Sequence, residues 1–319
     1  MTAASTPGLP AGYSVRAPRL GDAEAVAEVK RAAHASRRDG EITADSVRED
    51  WALPRMDLER DAWVVLTPDG SVAASALVFE DFPGSFVRVH CVRPGPEGPV
   101  LERYLLDVCE ERVRDRLTAG ARSGSLTVIA FESERPSLDL YTARGYGLVR
   151  TFLRLAVSLD DAPAVPVVPQ GLAIRPFRAG EDERRVYEAV QEAFLDHWEP
   201  TELTYEEWRA IAYDAPTVDP ALWRVAWDGA DVAGVVIASA QTEDGWVDDL
   251  AVRRPWRGRG LGRALLLTAL EVLRARGLTR ALLGVDTDNP TGAMGLYASA
   301  GMTQSGDAHL VFRRQLSAR

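Results

Sequence analysis

The stretch Val247–Gly262 reads VDDLAVRRPWRGRGLG. Asp248–Val252 has the pattern of a strand end, and Pro255 stops any ladder because proline has no N–H to donate. Arg257–Gly262, RGRGLG, is then a loop of alternating glycines. A helical pattern starts at once: Leu261, Leu265, Ala269, Val272 and Leu273 share one face, and Gly277 stands where a C-terminal cap belongs. A strand, a glycine loop and a helix N-terminus together predict an anion site. Unpaired N–H groups point outward, the helix dipole adds positive potential, and glycines let the backbone approach a ligand closely. Arg257, Arg259 and Arg263 add full charges with forked donors suited to phosphate.

Spacing separates the ligand classes that use such loops. A Walker A loop needs Gly-Lys-Ser/Thr, which this stretch lacks. A dinucleotide fingerprint needs GxGxxG. Counted from Gly258, Arg263 takes the third glycine's place; counted from Gly260, Leu265 does. What remains is Arg-x-x-Gly-x-Gly after a strand ending Leu-x-Val. That pattern resembles the acyl-CoA loop of the GNAT (GCN5-related) N-acetyltransferase superfamily. The resemblance implies acetyl-CoA as co-substrate and transfer of its acetyl group to an amine.

The chain has 319 residues, enough for two domains of ordinary size. Hydrophobic residues at 46% and charged residues at 26% are globular values. No apolar run approaches the roughly 20 residues of a membrane helix. The start, MTAASTPGLPAG, has neither the charged nor the apolar region of a secretory signal and reads as a loose tail. A net charge of −10 argues against general nucleic-acid binding and is compatible with a cationic acceptor. Cys91 and Cys109 sit in apolar patterns without CxxC spacing, so they read as reduced core residues of a cytoplasmic protein. No metal is expected: His197 has no ligand partner at metal spacing and reads as a surface histidine.

The two halves repeat one plan. Val15-Arg16 matches Ile174-Arg175, and Gly21-Asp22 matches Gly180-Glu181. Leu140-Tyr141-x-x-x-Gly145 matches Leu296-Tyr297-x-x-x-Gly301. So long a period reads as duplication of a whole domain, not a solenoid. The junction DDAPAVPVVPQG, Asp160–Gly171, suits a semi-rigid linker. The expected fold is α/β: two tandem GNAT-like domains, residues 1–160 and 161–319, each a mixed, mostly antiparallel sheet flanked by helices.

In the first half, Trp63–Thr67 and Ser71–Phe79 read as a hairpin around Pro68-Asp69-Gly70. The loop position is Arg93–Val100, RPGPEGPV. Glu97 stands where an arginine is wanted, and Pro96 and Pro99 remove donors. This half therefore reads as degenerate. His90 and Cys91 are strand neighbours facing opposite ways, so they do not form a nucleophile pair.

In the second half, the resemblance implies that backbone groups of Leu250, Ala251 and Val252 bond the pantetheine arm, that Asn289 contacts it, and that Tyr297 is the general acid at the sulfur. Gly258, Gly260, Leu261 and Gly262 frame the phosphate site with Arg257, Arg259 and Arg263. For the base, Asp248, Asp249 and Glu243 are candidates. Asp248 has the parity of Leu250 and Val252 and is preferred; Asp249 faces the other way. DHWEPTELTYEEW, Asp196–Trp208, is expected to line the acceptor site with aromatics and carboxylates. No covalent nucleophile is visible, which points to direct attack in a ternary complex. A non-catalytic acyl-CoA sensor would keep the loop without needing Tyr297 or Asp248. A longer acyl-CoA or an acyl carrier protein as donor stays open, as does the oligomeric state.

Overall fold

The structure, a computed structural model, describes residues 6–33, 42–53, 56–120, 123–199, 203–214, 218–241, 243–289 and 291–318. Part of the N-terminal tail, residues 200–202 of the expected acceptor segment, and Pro290 lie outside the described residues.

The first half runs β1 (Ser14–Arg16), α1 (Ala23–Ala33), α2 (Ala44–Trp51), α3 (Leu58–Asp61), β2 (Ala62–Leu66), β3 (Val72–Phe82), β4 (Ser85–Val92), α4 (Gly98–Ala119), β5 (Gly124–Phe131), α5 (Arg135–Ala143) and β6 (Gly147–Ser158). The second half follows the same plan. Its elements are β7 (Ala173–Pro176), α6 (Glu183–Phe194), α7 (Tyr205–Ala212), β8 (Arg224–Asp228), β9 (Asp231–Gln241), β10 (Asp244–Val252), α8 (Leu261–Ala275), β11 (Arg280–Asp286), α9 (Ala293–Ser299), β12 (Thr303–Gln304) and β13 (His309–Leu316).

The chain forms two compact units, but not at the expected division. One unit is residues 1–151 with 306–319; the other is 152–305. The reason is where the last strands pair. β13 runs antiparallel to β5, from His309 opposite Phe131 to Leu316 opposite Gly124. Residues Phe152–Ser158 of β6 run antiparallel to β11. Each half thus lends its final strand residues to the other's sheet, and the proline-rich segment after residue 160 lies inside a unit. A local composition shift marks a linker, but strand pairing is non-local and leaves no such mark.

In the unit of residues 1–151 and 306–319, the sheet order is β1-β2-β3-β4-β5-β13. Side chains alternate between two cores, as strand geometry requires. Val65, Ala74, Ala76 and Val78 pack under Leu105, Leu106 and Cys109 of α4. Val64, Leu77 and Cys91 pack under Val26, Val29 and Val47 of α1 and α2. Both cysteines are free and buried, and burial pushes each thiol up to about 12, so neither is a reactive thiolate.

In the unit of residues 152–305, the order is β6-β11-β10-β9-β8-β7. α8 seals it with Leu265, Leu266, Leu270 and Leu273, each fully buried. Every such leucine contributes about 1.5–3 kcal/mol. The helix can lie this close because Gly234 has no side chain: a Cβ there would stand 2.7 Å from the Ala251 carbonyl oxygen and 3.1 Å from Leu265 Cδ1. The duplication shows in one paired device. Arg16 forks onto Asp22 at 2.6 and 2.9 Å, and Arg175 forks onto Asp182 at 2.7 and 2.9 Å. Asp182, not Glu181, is therefore the structural counterpart of Asp22.

Candidate active site

The site begins where two parallel strands part. β10 and β11 pair only over Asp244–Trp246 and Arg280–Leu282. Beyond that, β10 stays on β9 and β11 stays on β6. Val247–Val252 therefore presents one unpaired backbone edge, which a ligand's amides can occupy as a strand would. The parted strands open a cleft of about 750 Å³.

At one end lies the glycine loop. Arg253 N–H still donates to the Ala233 carbonyl at 3.1 Å, then the ladder stops and Arg254–Trp256 makes a 3-10 turn. Gly258 and Gly260 have φ of 73° and 84°, values that exclude most side chains. Gly260 is the N-cap of α8, and its carbonyl accepts from Ala264 N–H at 3.1 Å. The N–H groups of Leu261, Gly262 and Arg263 are left for an anion, and α8 is long enough to add its dipole. Arg263 lines the cleft with its guanidinium unengaged among the described residues; Arg259 is equally free but stands exposed outside the lining.

Arg257 does not stand free for phosphate as expected. Its Nε donates to the Val252 carbonyl at 2.9 Å, its Nη2 to the Ala193 carbonyl at 3.1 Å, and its Nη1 to Asp196 Oδ2 at 2.6 Å. The end of α6 and the end of β10 both leave carbonyls unpaired here, and a forked cation at the bend satisfies them.

Gly258, Gly260, Leu261 and Gly262 line the cleft with Leu250 and Val252. Ala251 does not: it pairs with Val235 and faces the other way, 1% exposed. Asn289 lines the cleft, its Oδ1 accepting from Thr291 N–H at 2.8 Å, which orients the amide. Tyr297 lines it too. Its hydroxyl has no hydrogen-bond partner among the described residues, and burial, with the nearby Asp249 charge, pushes its pKa up to about 12.

Asp248 lines the cleft, but strand parity is not what puts it there. The register slips between Val247, opposite Ala238, and Asp249, opposite Ile237. Asp248 is the extra residue of a β-bulge, outside the alternation on which the parity argument rested. Asp249 does face away from Leu250, sharing the side of Ala251. Asp248 is open to the cleft, yet the surrounding walls displace bulk water. Desolvation raises it to about 6 against a bond from Ser239 that lowers it; Asp249 is raised to about 6 by desolvation and then by Asp248. Glu243 precedes β10 and does not line the cleft.

The aromatic wall expected from 196–208 is mostly core. Trp208 is 2% exposed and packs against Tyr187 and Trp223. What that segment gives the cleft is Asp196 and His197. His197 is no plain surface residue: its ring lies on Phe194 with centroids 4.3 Å apart, and desolvation lowers its pKa.

The first half keeps the same parting of strands. β4 and β5 pair only over Ser85–Val87 and Ser125–Thr127. Arg93 N–H donates to the Ala73 carbonyl as Arg253 N–H does to that of Ala233. A cleft of about 630 Å³ remains. In this register Glu97 falls at Arg257 and Glu102 falls at Gly262. Glu102 is buried, accepting from Tyr141 at 2.7 Å and Arg88 at 2.9 Å, with His90 Nε2 at 3.1 Å. Its carboxyl is held well below the usual range because the Arg88 and His90 charges outweigh burial.

The comparisons with known proteins agree with this geometry. A family model described as the acetyltransferase (GNAT) family matches residues 184–302. A mycothiol acetyltransferase of Thermomonospora curvata is 34% identical over 239 residues, covering 74% of this chain and 72% of that protein. One of Geodermatophilus obscurus is 32% identical over 222 residues, covering 67% and 69%. A GCN5-related N-acetyltransferase structure from Sphaerobacter thermophilus is similar at TM-score 0.80 and 32% identity, over 98% of this chain and 100% of that one. A tandem GNAT protein from the clavulanic acid biosynthesis pathway shares the fold at TM-score 0.71 and 19% identity, over 95% and 98%.

Proposed function

This chain belongs to the GNAT acetyltransferase family, and from that premise we propose that it moves an acetyl group from acetyl-CoA to a primary amine of a small molecule, by direct attack in a ternary complex. The observation that carries the reading is the cleft between β10 and β11, with a free helix N-terminus at one end and Tyr297 and Asp248 along it. We assign catalysis to the unit of residues 152–305 and a degenerate role to the other.

The residues present fit acetyl-CoA. Unpaired N–H groups of Leu261–Arg263 and the Arg263 charge suit a pyrophosphate. The open edge of Leu250–Val252 suits the pantetheine amides, and Asn289 has an amide N–H2 to offer beside them. Bound there, acetyl-CoA supplies an activated thioester carbonyl.

The chain's own groups do the rest. Asp248, ionised above about pH 6, takes the proton that an ammonium must lose before it attacks. Backbone N–H groups of the β10 edge stabilise charge developing on the carbonyl oxygen. Tyr297 stays protonated across neutral pH and offers its O–H to the departing sulfur. Once the C–S bond breaks, the thiolate takes that proton and the one held on Asp248 restores the phenol through water, while the second proton of the attacking nitrogen leaves to solvent as the amide forms.

The name of the curated relatives makes the amine precursor of a mycothiol-type molecule the first acceptor to try. Calorimetric titration with acetyl-CoA tests the reading: one site per chain is expected, lost in Gly260→Asp. Two sites would mean that the first cleft binds despite Glu102, and no binding would discard the donor assignment. Transfer is then followed by detecting the released thiol.

A further inference from the structure

The end of α6 is tied to the glycine loop by a group of ion pairs that the transfer chemistry does not use. Asp196, two residues beyond α6, receives Arg254 Nη2 at 2.5 Å and Nε at 3.1 Å, and Arg257 Nη1 at 2.6 Å. Arg257 also holds the Ala193 carbonyl, and Arg253 Nε holds Glu192 Oε2 at 2.6 Å. Three arginines of the loop thus grip one helix end. A carboxylate bonded by two forked cations is a network, not an isolated surface pair, and fixes geometry more strongly.

Two residues flanking Asp196 face the cleft. Phe194 and His197 line it together, their rings in contact, and His197 N–H donates to the Phe194 carbonyl at 2.9 Å. Whatever fixes Asp196 therefore fixes this wall.

We propose that Asp196 is a positioning residue: the donor loop, through Arg254 and Arg257, holds it so that Phe194 and His197 form the acceptor-facing wall of the cleft. The proposal rests on the reading of that cleft as the transfer site. It gives Arg257 a function other than phosphate binding. It also makes the acceptor wall depend on the state of the loop that takes the donor.

His197 reports on this directly. The charged groups facing it are Asp286 from β11, Arg257 from the loop and Asp196 itself. Asp196→Asn in the full chain keeps the shape and removes the charge. If the ring stays in place, losing that carboxylate lowers the His197 pKa further below its ordinary value. If the wall is released, the ring gains water and the pKa rises toward about 6.5. The chain has four histidines, so imidazole signals can be followed by NMR with 13C-histidine, and His197→Gln assigns the signal. The expected result is a rise of about half a unit or more. A fall or no change overturns the proposal. The titration needs no cofactor or acceptor, so it stands or fails independently of acetyl-CoA binding and turnover.

Discussion

Two tyrosines sit at matching places in the two halves, and their surroundings differ completely. Tyr297 stands in a cleft with its hydroxyl unengaged among the described residues; Tyr141 is fully buried and donates to Glu102. The cause lies on another element. Where α8 has Gly262, α4 has Glu102, and that carboxylate draws Arg88, His90 and Tyr141 into a buried cluster. One half keeps its cleft floor bare; the other has filled it with a structural ion pair. A matching tyrosine therefore says little until the groove beside it is known to be open.

The largest expected effect strikes the cleft whose floor carries Glu102. Glu102→Ala leaves Arg88 buried without its counter-charge, and should cost about 3–5 kcal/mol in chemical denaturation. Turnover per folded molecule should hold; if it falls with stability, the first cleft serves the reaction and the contrast breaks. Next, Gly260→Asp should weaken acetyl-CoA binding at least about 100-fold, by repulsion at the phosphates and by strain at φ 84°. Gly98→Asp, the counterpart of Gly258→Asp, should leave calorimetric affinity unchanged.

Tyr297→Phe should lower kcat by about 10 to 1000-fold while the acetyl-CoA Kd holds. Tyr141→Phe should leave kcat alone and show only in the melting curve. Unchanged kcat in the first variant would remove Tyr297 as the acid.

The smallest effect is a pH signature. Asp249 is raised from 3.8 to about 6 in the folded chain, so its stabilising protonated form is fully present below about pH 4 and is lost as pH rises to 6. Asp249→Asn should therefore be more stable than the parent at pH 8, by about 1–2 kcal/mol once the roughly 3 kcal/mol of a two-unit shift is discounted for the half-buried setting of the carboxylate, and equal to it at pH 4. Calorimetric melting at the two pH values checks this; a variant less stable at pH 8 would mean that the carboxylate has a partner worth more than its desolvation.

What is legible in the sequence is local. A glycine loop between an apolar strand and an amphipathic helix has few physical meanings, so RGRGLG alone marks the helix start and the glycines that line the cleft. Tyr297 and Asn289 follow by position. The bulge at Asp248 is not legible, because two adjacent aspartates look like ordinary alternation until the partner strand supplies the register. Arg257 misleads because a loop arginine has the same composition whether it turns out toward phosphate or in toward carbonyls. Glu102 does carry a signal: aligning Leu101 with Leu261 places it on Gly262. His197 escapes a search that asks only about metal spacing, and Trp208 belongs to the core, not the cleft, because its neighbours Tyr187 and Trp223 enclose it.

β13 has a consequence for how the chain is made. The strand that completes the first half's sheet, His309–Leu316, is made long after its partner Gly124–Phe131, so β5 waits with an open edge until residue 316 has emerged. Pairing over so long a separation is slow and leaves an edge exposed meanwhile. Cutting the gene after residue 160 would give two fragments, each carrying strand residues that belong to the other. A deletion of β13 would wound the half that lies farthest from it in sequence.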